Sequence, residues 1–121
     1  MSTKARVLIV DNSRESRDIL KTLLRRQGNE TLEASRFQLA GEIADVERPD
    51  LIVCDCDSDH SPGNAATREL TYQASRSDIP IVVLGTVRAD FQRLSAGDLI
   101  SKPYHYAPLI RKIEGLLGSR G

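Results

Sequence analysis

No stretch of this chain approaches the ~20 consecutive apolar residues that a membrane-spanning helix needs, and Met1 to Ala5 lead into a strand pattern rather than a signal-peptide core. The sequence is therefore expected to be cytoplasmic, with no membrane partner. An excess of either charge is also missing. Lys plus Arg and Asp plus Glu both count 17, and no basic stripe stands out, which disfavours direct nucleic-acid binding. Cysteine is scarce. Cys54 and Cys56 stand two apart at one predicted strand, without the geometry of an easy disulfide, and are expected to be reduced core or rim residues. Neither G-x-G-x-x-G nor G-x-x-x-x-G-K follows any strand pattern, so nucleotide binding through a glycine-rich phosphate loop has no support. Linkers, repeats and low-complexity tracts are absent, and 121 residues are enough for one domain, residues 1–121, with a real core.

What is present is an alternation of short apolar runs with helical patterns, the signature of βαβ units around a parallel sheet. Strands are predicted at Arg6 to Val10, Glu30 to Ala34, Leu51 to Cys54, Ile81 to Leu84 and Asp98 to Ser101. The first helix is expected to be capped by Asn12 with Glu15, to carry Ile19, Leu20, Leu23 and Leu24 inward, and to stop at Gly28. A second helix reads from a Ser35–Gln38 capping box with Leu39, Ile43 and Val46 inward, ending before Pro49. A third opens through Asn64 with Ala66, Leu70 and Ala74 on one face, and a short fourth must fit between Arg88 and Ala96. The fifth shows Tyr106, Leu109, Ile110, Ile113, Leu116 and Leu117 at helical spacing before Gly118. Five strands and five helices make the fold class α/β.

The acids end the strands. The run Leu51-Ile52-Val53-Cys54 stops on Asp55, the first strand ends on Asp11, and the fifth runs into Lys102-Pro103. Ligands of open α/β sheets bind just outside the carboxyl ends of the strands, so two acids and a lysine are expected at one sheet edge. Such a set suits a carboxylate that accepts a phosphoryl group, with a metal held by its neighbours and a lysine to meet the added charge. Bland readings stand beside this one: an aspartate after a strand often serves only as a helix cap or turn residue, and Lys102 can be an exposed lysine before a turn. Two rival constellations are present in the same stretch. Asp55-Cys56-Asp57-Ser58-Asp59 is similar to the nucleophile-and-acid motif of haloacid-dehalogenase-type phosphohydrolases, but it begins near mid-chain and leaves too little sequence for later catalytic elements. A zinc site from Cys54, Cys56 and His60 lacks a fourth ligand at recognisable spacing.

Taken together, Val7-Leu8-Ile9-Val10-Asp11-Asn12, Pro49 to Asp55, Ile79 to Leu84 and Ser101-Lys102-Pro103-Tyr104 resemble, in order and spacing, the receiver domain of two-component response regulators. The resemblance covers nearly the whole chain. It implies a flavodoxin-like, doubly wound five-stranded parallel sheet of order 2-1-3-4-5. It further implies a non-enzymatic phosphorelay module: Asp55 as phosphoacceptor, Lys102 on the phosphoryl oxygens, and Mg²⁺ held by Asp11, Asn12, Asp55 and the backbone around Asp57. A histidine kinase or phosphotransfer protein would be the donor, and a downstream protein or domain the output partner. Several positions depart from the family pattern. Asn12 replaces a second acid, which should weaken Mg²⁺ binding, with Asp57 or Asp59 as possible compensators. Gly85 stands where a hydroxyl residue is usual, leaving Thr86 as the nearby substitute, and Leu99 stands where an aromatic switch residue is usual. The stretch from Thr86 to Lys102 is short and the loop from Asp57 to Gly63 long. These departures keep an alternative open, an atypical receiver that works as a protein-binding module without phosphorylation.

Overall fold

In a computed structural model that describes residues 4–86 and 97–118, the chain forms one sheet of five parallel strands in the order β2-β1-β3-β4-β5. The strands are β1 Arg6–Val10, β2 Glu30–Ala34, β3 Leu51–Asp55, β4 Ile81–Gly85 and β5 Gly97–Ser101. Between and after them run α1 Arg14–Arg26, α2 Phe37–Glu47, α3 Ala65–Arg76 and α4 Tyr106–Gly118, with two 3-10 turns, Cys56–Ser58 and Pro62–Asn64. The short helix expected between Arg88 and Ala96 lies outside the described residues.

Every residue of β3 and β4 is buried, as befits central strands covered on both faces. Alternation sorts their side chains into two cores. Leu8, Val10, Ile52, Cys54, Ile81 and Val83 pack under α2 and α3, while Val7, Ile9, Leu51, Val53, Val82 and Leu84 pack under α1 and α4. Because β1 pairs with β2 on one side and β3 on the other, the winding reverses at β1, and the crevice of the switch point opens between the carboxyl ends of β1 and β3.

Four local expectations are corrected. Ile19, expected inward on α1, is 37% exposed, because the stripe of that helix that meets the sheet runs through Leu20 and Leu24. The first helix is capped by Ser13 rather than Asn12: the Ser13 hydroxyl accepts the Ser16 N–H at 3.2 Å, while Asn12 is engaged by Ser58. Its stop does fall at Gly28, whose φ of +88° is a conformation that suits glycine. The Ser35–Gln38 box does not form; Arg36 precedes α2 with no side-chain cap, and Phe37 begins the helix against the core instead. Along α2 the small residues Ala40 and Ala44 face the sheet, with Leu39 and Ile43 flanking them, and Val46 is 80% exposed rather than inward. On α3, Leu70 and Ala74 are buried as expected, but Thr67 and Thr71 join them. Thr71 is satisfied by donating to Thr67 O at 2.8 Å, and Thr67 by donating to Asp59 Oδ2 at 2.7 Å.

Candidate functional site

Sheet register assembles the site. Val10 stands opposite Cys54, so the residues that follow, Asp11 and Asp55, lie side by side; Gly85 stands opposite Ser101, and the Lys102 N–H donates to Gly85 O at 2.9 Å. Four consecutive strand ends of the sheet thus deliver Asp11, Asp55, Thr86 and Lys102 to one edge. The Lys102–Pro103 peptide bond is cis.

The Lys102 Nζ donates to Asp55 Oδ2 at 2.8 Å, and the other oxygen of Asp55 accepts the Asp57 N–H at 2.9 Å. Both Asp11 and Asp55 are buried. Burial raises the proton affinity of Asp11, and the neighbouring charge of Asp55 raises it further, against the Ser13 N–H and Lys102, which lower it. At Lys102, burial disfavours the ammonium, but its contacts with Asp55 and Asp57 outweigh that cost and hold its pKa well above the usual lysine range.

The turn Cys56–Ser58 puts three side chains into this edge, each in a different place. The Cys56 sulfur points into the core beneath Gly85, where a Cβ at position 85 would overlap it. Asp57 folds back over the edge: its Oδ2 lies 3.1 Å from Lys102 Nζ and accepts the Thr86 hydroxyl at 3.4 Å, while its Oδ1 accepts the Thr86 N–H at 3.3 Å. Burial pushes the Asp57 carboxyl up, yet Lys102 and Thr86 together hold it below its ordinary pKa. Ser58 turns the other way. Its hydroxyl accepts the Asn12 N–H at 3.1 Å and shares its single proton between Asn12 Oδ1 at 3.0 Å and Asp11 Oδ1 at 3.4 Å.

The structure thus brings together Asp11, Asn12, Asp55, Asp57, Thr86 and Lys102, but divides them. Asp11, Asn12 and Asp55 offer hard oxygen donors of the kind an Mg²⁺ site uses, with one carboxylate fewer than a triad of acids would give, and Lys102 pairs with the Asp55 charge. Among the described residues, no cluster of three or more His, Cys, Asp or Glu side chains suits a metal ion. The Asp57 side chain is engaged by Lys102 and Thr86, so it does not replace the missing carboxylate. Asp59 does not compensate either; it binds the start of α3, accepting the Ser61 N–H at 2.9 Å and the Thr67 N–H at 2.7 Å. Sequence reasoning missed Ser58 and the packing of Cys56, neither of which has a signal in pattern or spacing. The cysteines are both buried and free, packed in the core between the sheet and α2–α3, and burial, followed by the charges of Asp57 and Asp55, pushes the Cys56 thiol up to about 11.

Comparison with known proteins agrees with this geometry. Residues 7–114 match the family described as response regulator receiver domain. Protein PilH of Pseudomonas aeruginosa is 30% identical over 118 residues, which cover 93% of this chain and 98% of that protein. The phosphate regulon transcriptional regulatory protein PhoB of the same organism is 31% identical over 120 residues, covering 95% of this chain and 52% of PhoB, so the chain spans about half the length of relatives of that kind. Among solved structures, the signal receiver domain of a signal transduction histidine kinase from Syntrophus aciditrophicus superposes with a TM-score of 0.82 at 27% identity, covering 95% of this chain and 91% of that one. The receiver domain of Francisella response regulator 1452 has the same fold, with a TM-score of 0.83 at 19% identity over 98% of this chain and 100% of the other. Receiver domains generally use Mg²⁺ for phosphorylation, and the oxygen donors at the ends of β1 and β3 are of the kind that ion takes. With its five-stranded sheet, its convergent acids and lysine, and a match over most of its length, this chain belongs to the response regulator receiver domain family of two-component systems.

Proposed function

We propose that Asp55 accepts a phosphoryl group from the phosphohistidine of a histidine kinase or phosphotransfer protein. A carboxylate oxygen of Asp55 attacks phosphorus, the P–N bond breaks with its electron pair leaving on the imidazole, and an acyl phosphate remains on Asp55. The observation that carries this reading is the 2.8 Å contact between Lys102 Nζ and Asp55 Oδ2 at the crevice of the switch point. That contact sets a fixed positive charge where the transferred group's negative charge arrives, and such preorganised charge is the main source of catalysis in phosphoryl transfer. Asp11, Asn12 and Asp55 would hold Mg²⁺, which supplies charge neutralisation when bound. Thr86 supplies the hydroxyl that Gly85 lacks. The chain is the acceptor in this exchange rather than a turnover enzyme, works in the cytoplasm, and passes its state to an output protein or domain. No direct nucleic-acid contact is part of the reading.

The test is exposure to acetyl phosphate with excess Mg²⁺, followed by mass spectrometry of the site. Slow, low-yield labelling of Asp55 is expected, because Asn12 weakens the metal site and losing one preorganised donor costs about 100-fold to 1,000-fold in other enzymes. Asp55→Asn should abolish the label. Label that survives that substitution removes Asp55 from its role.

A second reading has a specific observation behind it: Ser58 on Asp11 and Asn12, and Asp57 on Lys102 and Thr86, satisfy the site's polar groups from within the chain. A receiver so arranged can work as a protein-binding module in this state. No labelling, together with no spectroscopic response to Mg²⁺ plus beryllofluoride, would select it.

A further inference from the structure

Two residues beyond the end of β3, Asp57 carries a carboxylate that reaches three donors at once: the Lys102 ammonium at 3.1 Å, the Thr86 N–H at 3.3 Å and the Thr86 hydroxyl at 3.4 Å. An ammonium, a backbone amide and a hydroxyl converging on one point are what an oxyanion requires. The same Lys102 ammonium holds Asp55 Oδ2 at 2.8 Å. A phosphoryl group bonded to that oxygen must direct its terminal oxygens toward the remaining donors around Lys102, and Asp57 already has them.

We propose that Asp57 is a resident anion, its carboxylate lying on Lys102 and Thr86 in the place of the phosphoryl oxygens, so that its displacement determines how readily this site takes an oxyanion. The inference rests on the phosphoryl-accepting reading and adds a residue that sets the selectivity of the same site.

The absence of a side chain at position 85 belongs to the same arrangement. A Cβ on Gly85 would overlap the Cys56 sulfur and stand 3.3 Å from Asp57 Oδ1 and 3.6 Å from its Cγ. A side chain at 85 would therefore press against the Asp57 carboxylate in this position, besides overlapping the Cys56 sulfur. Where a hydroxyl residue would greet an incoming phosphoryl group with a donor, this chain presents an acceptor that is already paired. An incoming dianion either stands beside the Asp57 charge or sends it into solvent. The second route is open, since the Asp57 side chain is 39% exposed at the rim. The same contacts give Lys102 and Thr86 an anion before any phosphoryl group arrives, so these two residues are held in an anion-bound arrangement in the resting protein.

The experiment titrates the Mg²⁺-loaded chain with sulfate, a tetrahedral dianion that forms no bond to Asp55, and follows the Thr86 amide signal by NMR. Asp57→Ala should respond at a sulfate concentration at least tenfold below that needed for the parent. Asp57→Asn keeps the shape and loses the charge, so it should also respond below the parent and serves where the alanine variant folds poorly. An equal response in the parent and both variants, or no response in either variant, overturns the proposal. A parallel exposure to acetyl phosphate should label Asp55 at least several-fold faster in Asp57→Ala. Failure to label any of the proteins would remove Asp55 as acceptor while the sulfate titration still decides the role of Asp57.

Discussion

The sulfur of Cys56 fills the space that a side chain on Gly85 would need, so the two residues are complementary across the ends of β3 and β4. Cys56 is buried in the core between the sheet and α2–α3, and the glycine opposite it is a consequence of packing as much as a missing functional group.

Restoring a hydroxyl at position 85 is therefore expected to fail by itself. Gly85→Ser should destabilise the protein by about 1–3 kcal/mol, the usual cost of overpacking a filled core, and should not speed labelling of Asp55. Combining it with Cys56→Ala should recover part of that loss, with a coupling of about 0.5–3 kcal/mol between the two sites. Denaturant unfolding of the two single variants and the double variant measures the coupling. Strict additivity would show that the sulfur is not what excludes a side chain at 85.

Asn12 lies beside Asp11 and shares the Ser58 hydroxyl with it, so a carboxylate at position 12 would stand next to that of Asp11. Asn12→Asp should tighten Mg²⁺ by about tenfold, or about 1.4 kcal/mol, because a charged oxygen replaces a neutral one in the shell of a hard cation. Calorimetric titration reads this directly. An unchanged affinity would place Asn12 outside the metal shell.

The raised proton affinity of Asp11 has a definite sign in stability. A carboxyl whose pKa is higher folded than unfolded destabilises the folded state when ionised, and that penalty is relieved as pH falls through the folded value. Asp11→Asn keeps an oxygen for the Ser13 N–H, which Asp11 Oδ1 accepts at 2.8 Å, and removes the charge beside Asp55. Without Mg²⁺ the variant should melt a few degrees above the parent at pH 7, with the gap narrowing toward pH 4. Thermal unfolding at the two pH values checks it, and a lower melting temperature for the variant at pH 7 would show that Asp11 is net stabilising. With excess Mg²⁺ the order should reverse, since only the parent keeps the carboxylate that binds the ion.

Much of this molecule was legible in one dimension. The apolar runs of β3 and β4 are short, continuous and bounded, and burial on both faces of a parallel sheet demands just such runs, so they announced both the strands and their central places. Because strands of a parallel sheet all point one way, acids and a lysine at the ends of such runs had to meet at one edge, and Asp11, Asp55 and Lys102 do. Side-chain partners across the chain were not legible. Ser58 reaches Asn12 over 46 residues and Asp57 reaches Thr86 over 29, and no periodicity encodes contacts set by how a turn folds over a sheet edge. For the same reason Ser13, and not Asn12, caps α1: both residues suit a cap, and the choice fell to Ser58, which took Asn12. The rotation of α2 that exposes Val46 and buries Ala40 and Ala44 was likewise decided by how closely that helix approaches the sheet, a distance that only the packed structure fixes.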